Sequence, residues 1–369
     1  MQWDWEGLLG RPQLAADRAL APAALRSQCL LITGAGGSIG SRVSLDSLHG
    51  RPRTLLLLDS SEHALYEICK RITAAAADKS IHIVPVLGDF ADRTLLDFLF
   101  RQHRPTLIFH TAAYKHVPLM EQNPIAAMAN NAVGTYKLVL AALDHGRCEI
   151  VLTSTDKAVH PTSIMGASKR AAELVVLSHS CSAVPMNAVR LGNVLGSSGS
   201  VVALFQEQLE SGSNLTVTHA NARRYFLTAD EAASALLRAV GSGSGGKIFL
   251  ADCGPSVGIV DLARYMTDAY NPNRQTPPGI ETIGLRPGEK LEELQFSSDE
   301  LIEGELFRGM QVLTSPCPTA SFVAARIERI DAAIQRMDLQ EIVSATQDLV
   351  TDYRPAESLR ATALAVGDR

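Results

Sequence analysis

The sequence predicts an α/β protein: a doubly wound parallel sheet, with a smaller C-terminal region interwoven with the last sheet strands. Three observations predict it. From about Ser27, short apolar runs alternate with longer amphipathic stretches. The short runs are apolar throughout rather than at every second residue, as strands are when helices cover both faces of a parallel sheet. One strand-to-helix junction also carries Gly34, Gly37 and Gly40 at three-residue spacing. In such a sheet, ligands bind beyond the carboxyl ends of the strands.

The elements follow in order. CLLITG (29–34) is the first strand, and a helix starts near Ser38. TLLLLD (54–59) precedes the helical SEHALYEICKRITAAAA, and IHIVPVLGD (81–89) precedes DRTLLDFLFRQH. TLIFHTA (106–112) leads to a helix ending near Asp144. EIVLTST (149–155) leads to SIMGASKRAAELVVLSHS, and MNAVRLGNV (186–194) closes the series. After about Gly196 the texture changes to loops, the short strand LTVTH, the helix ADEAASALLRAV and the loop-rich GLRPGEK. The expected division is an arm over 1–26, the sheet domain over 27–196, a second region over 197–320 and a helical tail over 321–369. The arm packs either on its own chain or on a partner subunit, and the sequence does not decide which.

Composition narrows the function. With 46% hydrophobic and 20% charged residues, the 369-residue chain is an ordinary globular protein, long enough to bury a sizeable core. A net charge of −5 with no basic cluster argues against a nucleic-acid partner. Cys29, Cys69, Cys148, Cys181, Cys253 and Cys317 are scattered, with no CxxC pair, so neither a metal site nor a disulfide is expected. No apolar run approaches the roughly 18 residues of a membrane span. The start MQWDWEGLLG is acidic. A cytoplasmic protein without direct membrane insertion is expected.

The glycine turn points to a dinucleotide. Glycine permits the sharp turn and lets the backbone approach a pyrophosphate, which the following helix N-terminus meets with its amides. Gly34, Gly37, Ser38, Ile39 and Gly40 are the expected contacts. Asp59 ends the second strand, about twenty residues past the last glycine, where a carboxylate reaches an adenosine ribose. Asp59 and Ser60 could equally cap the next helix. Asp59 favours NAD over NADP, because it would repel a 2′-phosphate and no arginine directly follows. Asp89 is either an adenine contact or a turn residue, and Phe90 and Ala112 complete the expected cofactor set.

Seven blocks carry a family resemblance: GAGGSIG, HTAAYKHVPLMEQNP, NNAVGTYK, STDKAVHPTSIMGASKR, RLGNVLGSSGSV, RRYFLT and GLRPGEKLEEL. Together they resemble the nucleotide-sugar 4,6-dehydratases among the extended short-chain dehydrogenases, from LLGR (8–11) to LVTDYRP (349–355). The resemblance implies a Rossmann-type fold, a tightly bound NAD regenerated in each turnover, a UDP-sugar substrate and a homo-oligomer. The family has a C5-inverting branch with an active-site tyrosine and a larger, usually membrane-anchored, C5-retaining branch with methionine. Met165 places the chain with the second branch, although that branch's transmembrane portion has no counterpart here.

The implied reaction converts UDP-N-acetylglucosamine to a 4-keto-6-deoxy sugar nucleotide. It needs three proton transfers, at the C4 hydroxyl, at C5 and at the C6 hydroxyl. Asp156 and Lys157 lie just past a strand end. By resemblance Asp156 is the acid for C6 and Lys157 the base for C5. Lys169, one helical turn after Met165, binds the nicotinamide ribose in this fold. Thr155 is the candidate for the C4 hydroxyl, relaying the proton towards Lys169, the ribose or water. Lys115, His116 and Asn193 match substrate-side positions, as do Arg224, Arg286 and Glu289, which match positions that hold the UDP. Arg223 beside Arg224 leaves that register open. Two rival readings are a nucleotide-sugar 4-epimerase and a non-catalytic NAD-binding regulator.

Overall fold

The computed structural model describes residues 3–13, 21–76, 80–146, 148–242, 245–270, 278–307 and 309–367. Nine strands build the main sheet: β1 (Cys29–Thr33), β2 (Thr54–Asp59), β3 (His82–Leu87), β4 (Leu107–His110), β5 (Glu149–Thr155), β6 (Met186–Leu191), β7 (Ile248–Ala251), β8 (Leu301–Phe307) and β9 (Met310–Thr314). Their order is β8-β9-β7-β6-β5-β4-β1-β2-β3. Strands β1 to β7 are parallel, and β8–β9 is an antiparallel hairpin added at the β7 edge. This is the doubly wound sheet expected from the sequence. The hairpin is the exception, since Glu303, Gly304 and Glu305 break the apolar pattern of β8, which is largely exposed.

The helices that frame the sheet and the site are α1 (Ser38–Ser47), α2 (Glu62–Ala75), α3 (Arg93–His103), α4 (Thr135–His145), α5 (Ile164–His179), α6 (Val201–Glu210), α7 (Ala229–Arg238), α8 (Ile259–Tyr270), α9 (Ala320–Gln335) and α10 (Leu339–Leu349). Strand side chains alternate between the two faces of the sheet. Cys29, Leu31, Leu56, Leu58, Ile150 and Leu152 enter one core with α3, α4 and α5. Leu30, Ile32, Leu55, Leu57 and Val151 enter the other with α1, α2 and α7. That two-sided burial is why these strands read as continuous apolar runs. The helical tail joins the first core through Val323, Ile327 and Ile330 of α9 and Ile342 and Leu349 of α10.

A third core joins α6 and α8 below the second region, and Leu9 of the arm is part of it. Arg11 anchors the arm there. Its guanidinium donates to Glu231 Oε1 (2.6 Å), Cys253 O (3.2 Å) and Phe226 O (3.3 Å). Residues 3–13 therefore pack on their own chain; residues 14–20 of the expected arm lie outside the described residues.

Candidate active site

A cavity of about 610 Å³ opens beyond the carboxyl ends of the central strands, between the sheet domain and the α6/α8 region. The glycine turn forms one wall. Gly34 has φ +66°, and a Cβ on it would stand 2.8 Å from the Ala112 backbone. A Cβ on Gly40 would stand 2.0 Å from Gly34 O. Only glycine lets the chain turn this tightly under α1. That helix starts at Gly37 with no side chain capping its amides, leaving them for an anion.

Asp59 braces this turn: its Oδ2 accepts from Gly36 N (2.8 Å) and its Oδ1 from Ser61 N (2.9 Å). The cap of α2 is Ser61, which accepts from Ala64 N, so capping belongs to neither Asp59 nor Ser60. Exposed Asp89 accepts from Ala91 N (2.8 Å), the turn role allowed for it. Phe90 is buried against the His110 ring, 4.7 Å between centroids. Asp59, Ser60, Asp89, Phe90 and Ala112 thus lie outside the cavity wall, whereas Gly34, Gly37, Ser38, Ile39 and Gly40 line it.

The opposite wall carries the acid–base cluster. Strand β5 ends at Thr155, and a single tight helical turn, Asp156–Ala158, follows. Asp156 is 2% exposed. Its Oδ1 accepts from Thr155 Oγ1 (3.0 Å) and Lys157 Nζ (2.9 Å), while its Oδ2 has no hydrogen-bond partner. Lys157 Nζ also donates to Asn193 Oδ1 (2.8 Å). Asn193 reaches it because Asn193–Val194 pairs with Phe226–Leu227 at the cavity edge. Thr155, Lys157, Met165, Lys169 and Asn193 all line the cavity.

Buried Lys169 lines the cavity and has no hydrogen-bond partner among the described residues. Burial lowers its pKa to about 8, against the opposing pull of Glu173. Lys115 also lines the cavity, and burial lowers its pKa. Burial, then Lys115, lowers that of His116. His110 lies deeper. Thr135 Oγ1 donates to Asn131 O (2.6 Å), so it accepts from His110 Nε2 (2.9 Å), and Nδ1 accepts from Thr33 Oγ1 (2.7 Å). Burial and the Lys169 charge bring His110 to about 3, so it is a neutral structural imidazole.

The second region closes the cavity. Arg224 lines it, and its Nη1 and Nη2 donate to the carbonyls of Arg223, Lys290 and Leu291. It therefore shapes the 286–291 loop as well as facing the cavity. Arg223 points away, to Ser256, and does not line the cavity. Arg286 and Glu289 line the cavity as a mutual pair, Nη2 to Oε1 2.6 Å.

Several residues at the site escape sequence reasoning. Asn131, in a π-helical turn (Met128–Gly134), holds the 114–116 loop through both backbone groups of Tyr114 and holds α5 through Ser168, each at 2.9 Å. Lys290 donates to Val159 O (2.8 Å), just past the Asp156–Ala158 turn. Ser154 donates to Glu173 Oε1 (2.7 Å). An asparagine next to a helical interruption is a weak signal for the first and Lys290 has none, whereas Ser154 at a strand end is expected to bond nearby or close the strand, and only its partner Glu173 is new. Among the described residues, no group of side chains could hold a metal ion, and no helix is long and apolar enough to cross a membrane.

The sequence profile of the family described as polysaccharide biosynthesis protein matches residues 30–314. The chain is similar to the capsular polysaccharide biosynthesis protein CapD of Staphylococcus aureus, 40% identical over 310 residues, covering 82% of this chain and 51% of CapD. It thus spans about half the length of the curated relatives it matches first. It is 30% identical to the UDP-N-acetylglucosamine 4,6-dehydratase (inverting) of Campylobacter jejuni, over 73% of this chain and 78% of that one. A UDP-glucose 4-epimerase of Rickettsia rickettsii is also 30% identical, over 76% and 80%. Among solved structures, Pen from Bacillus thuringiensis superposes with a TM-score of 0.73 at 29% identity, over 80% of this chain and 90% of that one.

Proposed function

The chain belongs to the polysaccharide biosynthesis protein family, and from that premise we propose that it is a UDP-N-acetylglucosamine 4,6-dehydratase of the C5-retaining type. The observation that carries this reading is the Thr155–Asp156–Lys157 cluster, whose Thr155 and Lys157 line the same cavity as the glycine turn, with Asp156 buried behind them and bonded to both. An epimerase needs no acid–base pair at that place.

The glycine cradle, where a Cβ at position 34 or 40 would collide with backbone, and the uncapped start of α1 fit a dinucleotide. The turn and the α1 amides would hold its pyrophosphate, Asp59 its adenosine ribose and Lys169 its nicotinamide ribose. NAD, when bound, supplies a hydride acceptor that returns the hydride within the same turnover.

The remaining work falls to this chain's own side chains. Thr155 is a weak base alone, but its hydroxyl is already hydrogen-bonded to Asp156 Oδ1. The C4 hydroxyl proton therefore passes through Thr155 to Asp156, in preference to Lys169. A protonated Asp156 is the acid that the departing C6 hydroxyl needs. Lys157, as the free amine, takes the C5 proton and returns it to the same face. Met165 fills the tyrosine's place without proton chemistry, and Lys115, His116, Asn193, Arg224, Arg286 and Glu289 hold the nucleotide sugar.

The direct test is incubation of the purified protein with UDP-N-acetylglucosamine, followed by mass spectrometry. Loss of one water from the sugar nucleotide supports the reading. An unchanged mass across several UDP-sugars removes it. The similarity to a 4-epimerase keeps one alternative in play, and a shift to the C4 epimer at unchanged mass would establish it.

A further inference from the structure

Glu121 lies outside the cavity wall, at the end of a short helix, Val117–Gln122. Three parts of the chain meet on it. Its Oε1 accepts from Ile164 N (2.6 Å), the first amide of α5 and the residue before Met165. The substrate loop packs against it at Gly288, which has φ +78°. A Cβ there would fall 3.2 Å from Glu121 Cδ and 2.8 Å from Ser163 Cβ. Thr162 Oγ1 donates to Gly288 O (3.0 Å), fastening the loop to the residues just ahead of α5. The C-terminal segment completes the junction: Arg354 N donates to Pro161 O (2.9 Å), and the fully buried phenol of Tyr353 feels the Glu121 charge.

Glu121 Oε2 is buried without a hydrogen-bond partner. A carboxylate left half satisfied in a core is costly, and a packing role alone would be met by an apolar residue. Burial raises the Glu121 pKa, and the Ile164 amide opposes that rise.

We propose that Glu121 is a positioning residue that locks the Arg286–Lys290 loop to the first turn of α5, so that the nucleotide-sugar clamp and Met165 share one register. The proposal rests on the reading that this loop holds the nucleotide. Ser163 still caps α5 through Gly166 N, so loss of Glu121 should loosen the helix start without melting the helix.

The test compares Glu121→Ala, Glu121→Gln and Thr162→Val by UDP titration, NAD titration and amide hydrogen exchange over residues 161–169. Glu121→Ala should weaken UDP by about tenfold, the scale of one hydrogen bond to a charged group. It should leave NAD affinity unchanged and speed exchange at Ile164. Glu121→Gln keeps the acceptor and should restore both values. Thr162→Val cuts the loop contact alone, so it should weaken UDP with little change in exchange. If Glu121→Ala fails to fold, Thr162→Val and Glu121→Gln still decide. Unchanged UDP affinity in Thr162→Val, or a tenfold loss in Glu121→Gln, overturns the proposal. If the unmodified chain binds no UDP, the nucleotide-sugar reading falls, and unchanged exchange in Glu121→Ala would separately overturn the lock.

Discussion

Two buried charge clusters flank the end of β5, and they are built to opposite rules. On one side, Glu173 accepts from Ser154, Arg170 and Arg190, and Glu300 accepts from Arg190 and Ser297. Arg190 is 1% exposed between two carboxylates, and two arginines balance two glutamates. Every carboxylate oxygen there is partnered. On the other side, Asp156 keeps an unpartnered oxygen and Lys169 has no hydrogen-bond partner among the described residues. The first arrangement fixes β5, β6, α5 and the loop leading to β8 in place. The second leaves hydrogen-bonding capacity unused, in Lys169 on the cavity wall and in Asp156 buried just behind it. One residue separates them, Ser154 from Thr155, because the pleat sends neighbouring side chains different ways.

The largest break to this contrast is Arg190→Met. It leaves Glu173 and Glu300 short of counter-charge in the core and should cost about 3 to 5 kcal/mol in denaturant unfolding. A loss below about 1 kcal/mol would show that the network is not structural. Lys157→Ala should do the reverse, lowering turnover by about 100-fold or more while stability stays near the unmodified value. Full activity in that variant would strike Lys157 from the mechanism.

The two clusters should also titrate in different windows. Burial raises the Glu173 pKa, but the Arg190 charge and hydrogen bond, with Arg170 and Ser154, bring it down to about 2 from an ordinary 4.5. Its contribution to stability is complete above 4.5 and is lost as pH falls through about 2. Lys169 is shifted by burial from 10.5 to about 8, so the folded chain gives up this proton first and stability rises from about pH 8 to 10.5. Its positive charge is then lost above about pH 8, and NAD affinity should fall there. A fluorescence titration across that range checks this, and Lys169→Met should flatten the step. The smallest effect is expected for Ser154→Ala, which removes one donor to Glu173: about 1 kcal/mol of stability, with turnover within about twofold.

Much of the fold is legible along the chain. The strands from Cys29 to Leu191 are apolar runs with helical periods between them, and each appears where the pattern places it. The glycine turn is equally local, since a tight turn needs neighbours in sequence, whereas the roles of Thr155, Asp156 and Lys157 are legible only through the family resemblance. Asp89 shows the limit of such reading, because a carboxylate after a strand serves a turn as readily as a ligand. The β8–β9 hairpin shows another limit, since an exposed edge strand lacks the apolar signal that buried strands carry.

The sequence by itself determined the parallel sheet and the glycine turn, set by periodicity and adjacency, while the acid–base roles of Asp156 and Lys157 came from a family resemblance. Only the tertiary structure decided what holds them. Asn193 meets Lys157 across 36 positions, Ile164 meets Glu121 across 43, Arg190 meets Glu300 across 110, and Arg11 meets Glu231 across 220. Such pairs leave no local period. Each forms only after the sheet has closed long loops and brought strand ends together, and the cost of that closure is met by burial of the whole core rather than by the pair itself.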